Sequence, residues 1–128
     1  MRGGGDFDGR MADKDALGRR GEQLAADYLT AQGLHVIERN WRCSLGEIDL
    51  VAREGAETVF VEVKTRAGLG YGHPLEAITA AKLARLRRLA AAWCEAHPGV
   101  AASIRIDAVA VVASRSAPVR IEHLRRVF

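Results

Sequence analysis

The stretch VFVEVKTR, residues 59–66, decides how the rest of the chain is interpreted. Its valines alternate with the other side chains, so a β-strand here turns one apolar face towards a core. The opposite face carries Glu62 and Lys64, an acid and a lysine two residues apart on an otherwise apolar strand. Such a pair has two explanations, a solvated surface or a functional site.

Length and composition narrow the class of protein. The chain has 128 residues, enough for one domain with a single core. Cys43 and Cys94 lie far apart and follow no secretory leader, so we expect a reducing, cytoplasmic location. No apolar run reaches the length of a bilayer span, so we expect no association with a membrane. The net charge of +3 is compatible with a polyanionic partner and equally with an ordinary surface.

Periodicity predicts the organisation of the chain. Residues 1–13 are rich in glycine without a repeating pattern, and we expect a mobile leader there, followed by one domain over residues 14–128. A first helix is predicted from about residue 15 to 32, and a long second helix covers LEAITAAKLARLRRLAAAWCEAH. Strands are predicted for LHVIERNW, EIDLVAR, TVFVEVKT, SIRIDAVAVVA and, as a last strand or a short terminal piece, VRIEHLRRVF. The order αβββαβ(β) indicates an α/β domain with a mixed sheet covered by helices.

The second and third strands form a predicted hairpin. A two-residue loop at Gly55 and Ala56, with glycine first, suits a type II′ turn. The resulting register places Asp49 opposite Glu62. One face then carries only apolar residues and has to be core, namely Ile48, Leu50, Ala52, Val59, Val61 and Val63. The other face carries the charged residues, alongside Val51 and Phe60.

The charged face of the hairpin suggests a cation site. Like charges directly opposite each other destabilise a sheet, so the pair Asp49 and Glu62 needs compensation. A hard divalent cation such as Mg²⁺ binds carboxylate oxygens and keeps waters that become reagents. Lys64, opposite Glu47, neutralises part of the remaining charge. The alternative is an exposed face with Lys64 paired to Glu47, and we favour the metal site over it.

Several of these motifs together resemble a known family. GRRGEQLAADYL, GEIDLVA, VFVEVKTR, GHPLEAITAAKLARLRRLA and RIDAVAV match, in order, the pattern of the YraN-like family of small bacterial predicted endonucleases. The resemblance covers about residues 17–128. It implies a restriction-endonuclease-like fold of the PD-(D/E)XK type, similar to that of Holliday-junction resolvases. Similar resolvases dimerise, so the resemblance leaves a homodimer open.

The resemblance also implies site residues. Asp49 and Glu62 become carboxylates that bind Mg²⁺ or Mn²⁺, and Glu22 of the first helix reaches the metal directly or through water. Lys64 becomes the lysine that orients the attacking water and stabilises negative charge at phosphorus. Ile48 stands where the superfamily's name places a proline. Without the resemblance, Glu22 is better explained as a surface residue beside an arginine.

Three basic residues of the second helix are candidates for nucleic-acid binding. Lys82 lies inside the apolar stripe of that helix, where it either extends past its neighbours to water or approaches a phosphate. Arg85 and Arg88 lie off the stripe, and a solvated face is the better explanation for them, with phosphate contacts as the alternative.

The sequence therefore leads to a principal hypothesis and two rivals. The principal hypothesis is a metal-dependent endonuclease that hydrolyses phosphodiester bonds of DNA, rather than RNA, with branched or structured DNA as a candidate substrate. The first rival is a non-catalytic nucleic-acid-binding module that keeps the nuclease fold and acts with a recombination or DNA-uptake partner. The second is an interaction domain whose acidic pair is a relict.

Overall fold

The computed structural model describes residues 5–68, 70 and 72–127, with side chains from residue 14 onwards. These residues form one five-stranded sheet, two α-helices and a short 3₁₀ helix. The predicted α/β class and element order are confirmed. In chain order the elements are α1 (Gly5–Ala31), β1 (His35–Cys43), β2 (Gly46–Glu54), β3 (Glu57–Arg66), the 3₁₀ helix (Pro74–Ala77), α2 (Ala80–Ala96), β4 (Ser103–Val112) and β5 (Arg120–Leu124).

The strands lie in the sheet in the order in which they occur in the chain, β1 to β5. β3 and β4 are parallel, and the other neighbours are antiparallel. Parallel neighbours require a long crossover, and here α2 is part of it. The sheet is therefore mixed, with its single parallel pair next to the hairpin.

Helices cover both faces of the sheet. On one face Ala25 and Leu29 of α1 pack in a cluster with Val61 and Val109. On the other face Trp93 of α2 packs with a different set of buried residues, which includes Phe60, Val51, Ile106, Leu86 and Leu89. Val51 and Phe60 are fully buried, so the face on which we predicted the charged residues is also core over most of its length.

The predicted hairpin register is confirmed for the part of the ladder nearest the turn. Leu50 pairs with Val61, and the ladder continues to Glu54 and Glu57. Gly55 has a φ of +59°, whereas Ala56 is not among the residues with positive φ. One positive φ at the first loop position is what a type II′ turn requires.

The predicted position of Ile48 is wrong. It is buried, but it packs in the α2-side cluster with Val51, whereas Leu50 belongs to the α1-side cluster. The alternation of faces is therefore interrupted between residues 48 and 50. On the neighbouring strand Asn40, between the partners of these two residues, has a φ of +52°. This left-handed residue breaks the regular pleat of β1 at the same level.

Both helices begin at residues that differ from the predicted ones. α1 begins at Gly5, so backbone that we assigned to the leader continues the helix, because each added residue of a formed helix gains a hydrogen bond. α2 begins at Ala80 because the Thr79 side chain accepts a hydrogen bond from the Lys82 N–H and acts as N-cap. Residues 74–77 form a separate turn capped by His73. The first four leader residues lie outside the described residues, and the mobility of the leader stays a prediction. Neither described helix is long and apolar enough to cross a membrane.

The two glycines of α1 give opposite expectations for substitution by alanine. A Cβ at residue 21 would overlap the Thr65 side chain, including its Cβ, whereas a Cβ at residue 18 would meet nothing within 4 Å. We expect Gly18→Ala to stabilise the protein by about 1 kcal/mol through helix propensity. We expect Gly21→Ala to destabilise it by about 1–3 kcal/mol, because α1 has to move away from β3. Chemical denaturation of both variants measures the difference, and equal stabilisation by both would contradict the close packing at Gly21.

Candidate functional site

Asp49 lies where β2 and β3 stop pairing. The last regular pair of the ladder is Leu50 with Val61. One position further on, Oδ2 of Asp49 accepts a hydrogen bond from the backbone N–H of Val63, at 2.8 Å. The side chain thus takes a place that a backbone carbonyl would occupy in a regular ladder. This hydrogen bond fixes the carboxylate at the point where the two strands separate.

Carboxylates surround Asp49 without a compensating cation. Burial is the largest cause of the raised pKa of Asp49, the negative charge of Glu62 adds to it, and the hydrogen bond from the Val63 N–H opposes it, which leaves the pKa at about 7. Glu22 and Glu47 add smaller repulsions. Among the residues with described side chains, Asp49 forms no salt bridge. Asp49 is therefore a half-buried carboxyl group whose ionised form is strongly disfavoured.

Glu62 and Lys64 form a partly buried ion pair on β3. The distance from Lys64 Nζ to Glu62 Oε2 is 3.8 Å. Burial raises the pKa of Glu62, and the charges of Lys64, Arg85 and Lys82 oppose that rise without cancelling it. Glu62 thus lies within the electrostatic reach of α2.

The predicted proximity of Lys64 to Glu47 does not lead to an ion pair. Glu47 instead pairs with Arg42 of β1, with Arg42 Nε 3.1 Å from Oε2. The reason is that the β2–β3 ladder ends at Leu50, whereas β1 and β2 still pair at Arg42 and Glu47. Lys64 consequently pairs with Glu62 instead.

Glu22 of α1 is held by a residue that the sequence patterns did not single out. The side-chain amide of Asn40 donates a hydrogen bond to Oε1 of Glu22, at 3.0 Å. Asparagine tolerates a left-handed backbone better than most residues, and its φ of +52° is the local signal that accompanies this contact. Asn40 therefore positions Glu22 near Asp49, and the Val63 N–H positions Asp49 itself.

The three basic residues predicted on α2 differ in their relation to the carboxylates. Lys82 and Arg85 both act electrostatically on Glu62, and Lys82 is half-buried, whereas Arg85 is exposed. Arg88 is also exposed and is not among the main causes of the pKa shifts of Asp49 and Glu62. The structure thus brings Lys82 and Arg85 into the electrostatic surroundings of the candidate site.

A second aspartate of the sheet shows what a structural carboxylate looks like in this fold. Asp107 of β4 is fully buried. It accepts hydrogen bonds from Arg105 Nε at 3.0 Å, from His123 Nε2 at 2.7 Å and from the Arg126 N–H at 2.8 Å. Burial acts to raise the pKa of Asp107, but the hydrogen bonds from His123 and Arg105 outweigh it, so the pKa is lowered. These contacts give Asp107 a structural role in the sheet.

The donor set at Asp49 and Glu62 fits a hard divalent cation that takes part of its coordination from outside the protein. Among the described residues, no group of three or more His, Cys, Asp or Glu side chains has an arrangement suited to a metal ion. Mg²⁺, however, is commonly bound by one or two carboxylates together with waters and substrate phosphates. Two carboxylates that repel each other meet this requirement. The described side chains do not supply a full set of protein ligands.

Comparison with known proteins identifies the family. The family described as "Uncharacterised protein family UPF0102" matches residues 21–111. The chain belongs to this family. It is 58% identical over 117 residues to a UPF0102 protein of Beutenbergia cavernae, with 91% of this chain and 99% of the relative covered. It is 56% identical over 117 residues to a UPF0102 protein of Arthrobacter sp. strain FB24, with 91% and 99% covered. The YraN-like family is the UPF0102 family, so the resemblance noted from the motifs is confirmed.

The raised pKa of Asp49 predicts how stability changes with pH in the presence of a chelator. Below the unfolded pKa of 3.8 Asp49 is protonated in both states, and above about 7 it is ionised in both. Between these values only the unfolded chain releases the proton, so the contribution of Asp49 to the free energy of unfolding falls as pH rises. We expect Asp49→Asn to gain up to about 4 kcal/mol relative to wild type between about pH 4 and pH 8. Urea denaturation at several pH values measures this difference.

Asp107→Asn is the matched control, because Asp107 lies in the same sheet but is paired with Arg105. We expect this variant to lose about 3–5 kcal/mol of stability near neutral pH, since Arg105 would be left without its buried partner. The test is whether the two Asp→Asn substitutions change the free energy of unfolding in opposite directions. A loss of stability at pH 8 for Asp49→Asn as large as that for Asp107→Asn would show that Asp49 is an ordinary structural carboxylate.

Proposed function

We propose that this protein is a metal-dependent nuclease that hydrolyses phosphodiester bonds of DNA at Asp49 and Glu62. The observation that carries the proposal is the contrast between Asp49 and Asp107. Asp107 pairs with Arg105 and is hydrogen-bonded to His123, whereas Asp49 has carboxylates for neighbours and no salt bridge among the described side chains. Such a group either keeps its proton or takes its counter-charge from outside the chain, and a bound cation is the source that we propose.

The residues that would hold the cation are Asp49 and Glu62, with Glu22 assisting from α1. Mg²⁺ or Mn²⁺ bound there supplies Lewis acidity towards water and phosphate oxygens, which is the chemistry that phosphodiester hydrolysis needs. Asp49 is fixed by the Val63 N–H and Glu22 by Asn40, so both carboxylates are oriented before a ligand arrives. Such preorganisation lowers the cost of binding and of catalysis.

Lys64 of β3 forms a salt bridge with Glu62 of this carboxylate pair. Its ammonium group is 3.8 Å from Glu62, near enough to move to a substrate phosphate. In the proposed reaction Lys64 orients the attacking water by hydrogen bonding and stabilises negative charge that develops at phosphorus. Lys82 and Arg85, which act on Glu62 from α2, bind flanking phosphates, as does Arg88 further along the helix.

A cleavage assay tests the proposed reaction. We expect wild-type protein with Mn²⁺ to cleave DNA, and branched, single-stranded and duplex DNA should be compared. We expect Glu62→Ala and Lys64→Met each to lower the rate by about 100-fold or more, because each removes charge that the transition state requires. Gel electrophoresis of end-labelled DNA measures the rates.

Glu47→Gln is the control for the loss of a negative charge near the site. Glu47 pairs with Arg42, and a partly exposed pair of this kind contributes little, so we expect the rate to stay within about threefold of wild type. Absence of cleavage of every DNA structure by wild type, or rates unchanged in Glu62→Ala, would overturn the proposal.

The second candidate function is a nucleic-acid-binding module without catalysis, acting with a partner protein. It is favoured by the observation that no three metal-binding side chains converge among the described residues. It predicts binding to DNA that weakens with salt and survives the double change Asp49→Asn/Glu62→Gln. Loss of DNA binding in that double variant would contradict the module and favour the nuclease.

A further inference from the structure

A groove runs beside the candidate site, between α1 and the end of β3. It consists of two adjoining cavities of about 590 Å³ and about 620 Å³. Glu22 and Lys64 line the first cavity, and Arg115 lines the second. Both cavities share three lining residues, Lys14, Leu17 and Ala67. We call this continuous feature the α1–β3 groove, and it leads away from the carboxylates towards residues 114–116.

The charge along the α1–β3 groove is almost entirely positive. Glu22 is the only carboxylate among the described lining residues, whereas five cations line the groove, namely Lys14, Arg20, Lys64, Arg66 and Arg115. The rest of the lining is largely apolar and includes Leu17, Ala67 and Ala113. The groove thus presents separate positive charges beside a largely apolar surface that a polymer chain can approach closely.

Three of these cations have no counter-charge within the described part of the chain. Lys14, Arg20 and Arg115 are exposed, and none of them takes part in a salt bridge with a residue whose side chain is described. Arg66 donates a hydrogen bond to the Thr65 carbonyl rather than to a carboxylate.

The arginines at the opposite end of the sheet behave differently. Arg105 and Arg125 pair with Glu54, and Arg126 pairs with Glu57. These three arginines are therefore neutralised within the fold. The three exposed cations of the α1–β3 groove have no such partner among the residues whose side chains are described.

The far end of the groove adds neutral hydrogen-bond donors. Ser114 and Ser116 line the second cavity next to Arg115, and their hydroxyl groups lie 3.0 Å apart. Serine hydroxyls together with arginine and lysine are the side chains that most often contact phosphate and sugar oxygens. This combination matches a polyanion whose charges are regularly spaced and accept hydrogen bonds, which is the sugar–phosphate backbone.

We propose that the α1–β3 groove binds the backbone of one nucleic-acid strand, on one side of the phosphate that lies at Asp49 and Glu62. The proposal rests on the proposed function for the position of that phosphate, because Glu22 and Lys64 form the near end of the groove. The contacts are made to phosphates and sugars, so the groove sets affinity and orientation and does not select a base sequence. Its contribution is electrostatic and decreases with added salt.

Binding measured without cleavage tests the groove. The probe is a fluorescein-labelled, mixed-sequence single-stranded DNA oligonucleotide, titrated with the full chain in EDTA and followed by fluorescence anisotropy. Arg20→Ala and Arg115→Ala change one exposed cation each, on separate segments. We expect each change to weaken binding about fivefold near 0.1 M salt and to lower the steepness of the salt dependence by about 0.7. The reduction should be the same for oligonucleotides of different sequence.

Arg19→Ala is the matched control, since Arg19 is exposed, precedes Arg20 on α1 and does not line the groove. We expect its affinity to stay within about twofold of wild type, because a change off the groove removes no phosphate contact. Thermal melting of all three variants shows that each is folded. Affinity lost equally in Arg19→Ala and Arg20→Ala, or unchanged in Arg20→Ala and Arg115→Ala, would overturn the proposal. Competition by polyglutamate as strong as that by unlabelled oligonucleotide would also overturn it, because the groove would then recognise acidic chains in general.

Different results would overturn the proposal for the groove and the proposal that the protein is a nuclease. If wild type cleaves DNA with Mn²⁺ while Arg20→Ala and Arg115→Ala bind and cleave as wild type does, the groove is overturned and the nuclease stands. If the two groove variants lose affinity while no protein cleaves any DNA, the groove stands and the nuclease fails.

Discussion

The hydrogen bond between the Asp49 carboxylate and the Val63 N–H is the interaction on which the candidate site depends. It replaces the regular ladder at the point where β2 and β3 separate. Because the strands no longer pair beyond Leu50 and Val61, Glu22 approaches from α1 and is held by Asn40, while Glu62 comes under the influence of charges on α2. A regular ladder over the same residues would have placed Lys64 against Glu47 and left no opening between the strands. The site is thus a consequence of where the pairing stops.

Asp107 and Asp49 show how the same fold treats a structural and a candidate functional carboxylate. Asp107 receives hydrogen bonds from Arg105, His123 and the Arg126 backbone, and its pKa is lowered. Asp49 receives one backbone hydrogen bond, and burial raises its pKa to about 7. Stability alone would favour a cation or an apolar residue at position 49. The cost of keeping Asp49 ionised is what a ligand cation would offset, and this links the energetics of the fold to the proposed chemistry.

Local signals in the sequence were enough to predict most of the fold. The turn glycine Gly55 and the alternation of valines on β3 specify the hairpin register, since both act over a few residues. The position of Ile48 could not be predicted this way, because the interruption of its face is tied to Asn40 on another strand. The tether of Glu22 and the pairing of Glu47 with Arg42 likewise depend on β1. The start of α2 was missed for a different reason: the apolar stripe continues past its beginning, and the Thr79 cap decides where the helix starts.

The most direct test of the central claim is a calorimetric titration of Mn²⁺ into wild type and into Asp49→Asn/Glu62→Gln. It is best carried out near pH 8, above the pKa of about 7 of Asp49, so that protons do not compete for the carboxylates. A non-cleavable branched DNA should be present to supply phosphate oxygens to the coordination sphere. The account predicts Mn²⁺ binding by wild type that is lost in the double variant. No Mn²⁺ binding by wild type, or equal binding by both proteins, would contradict it.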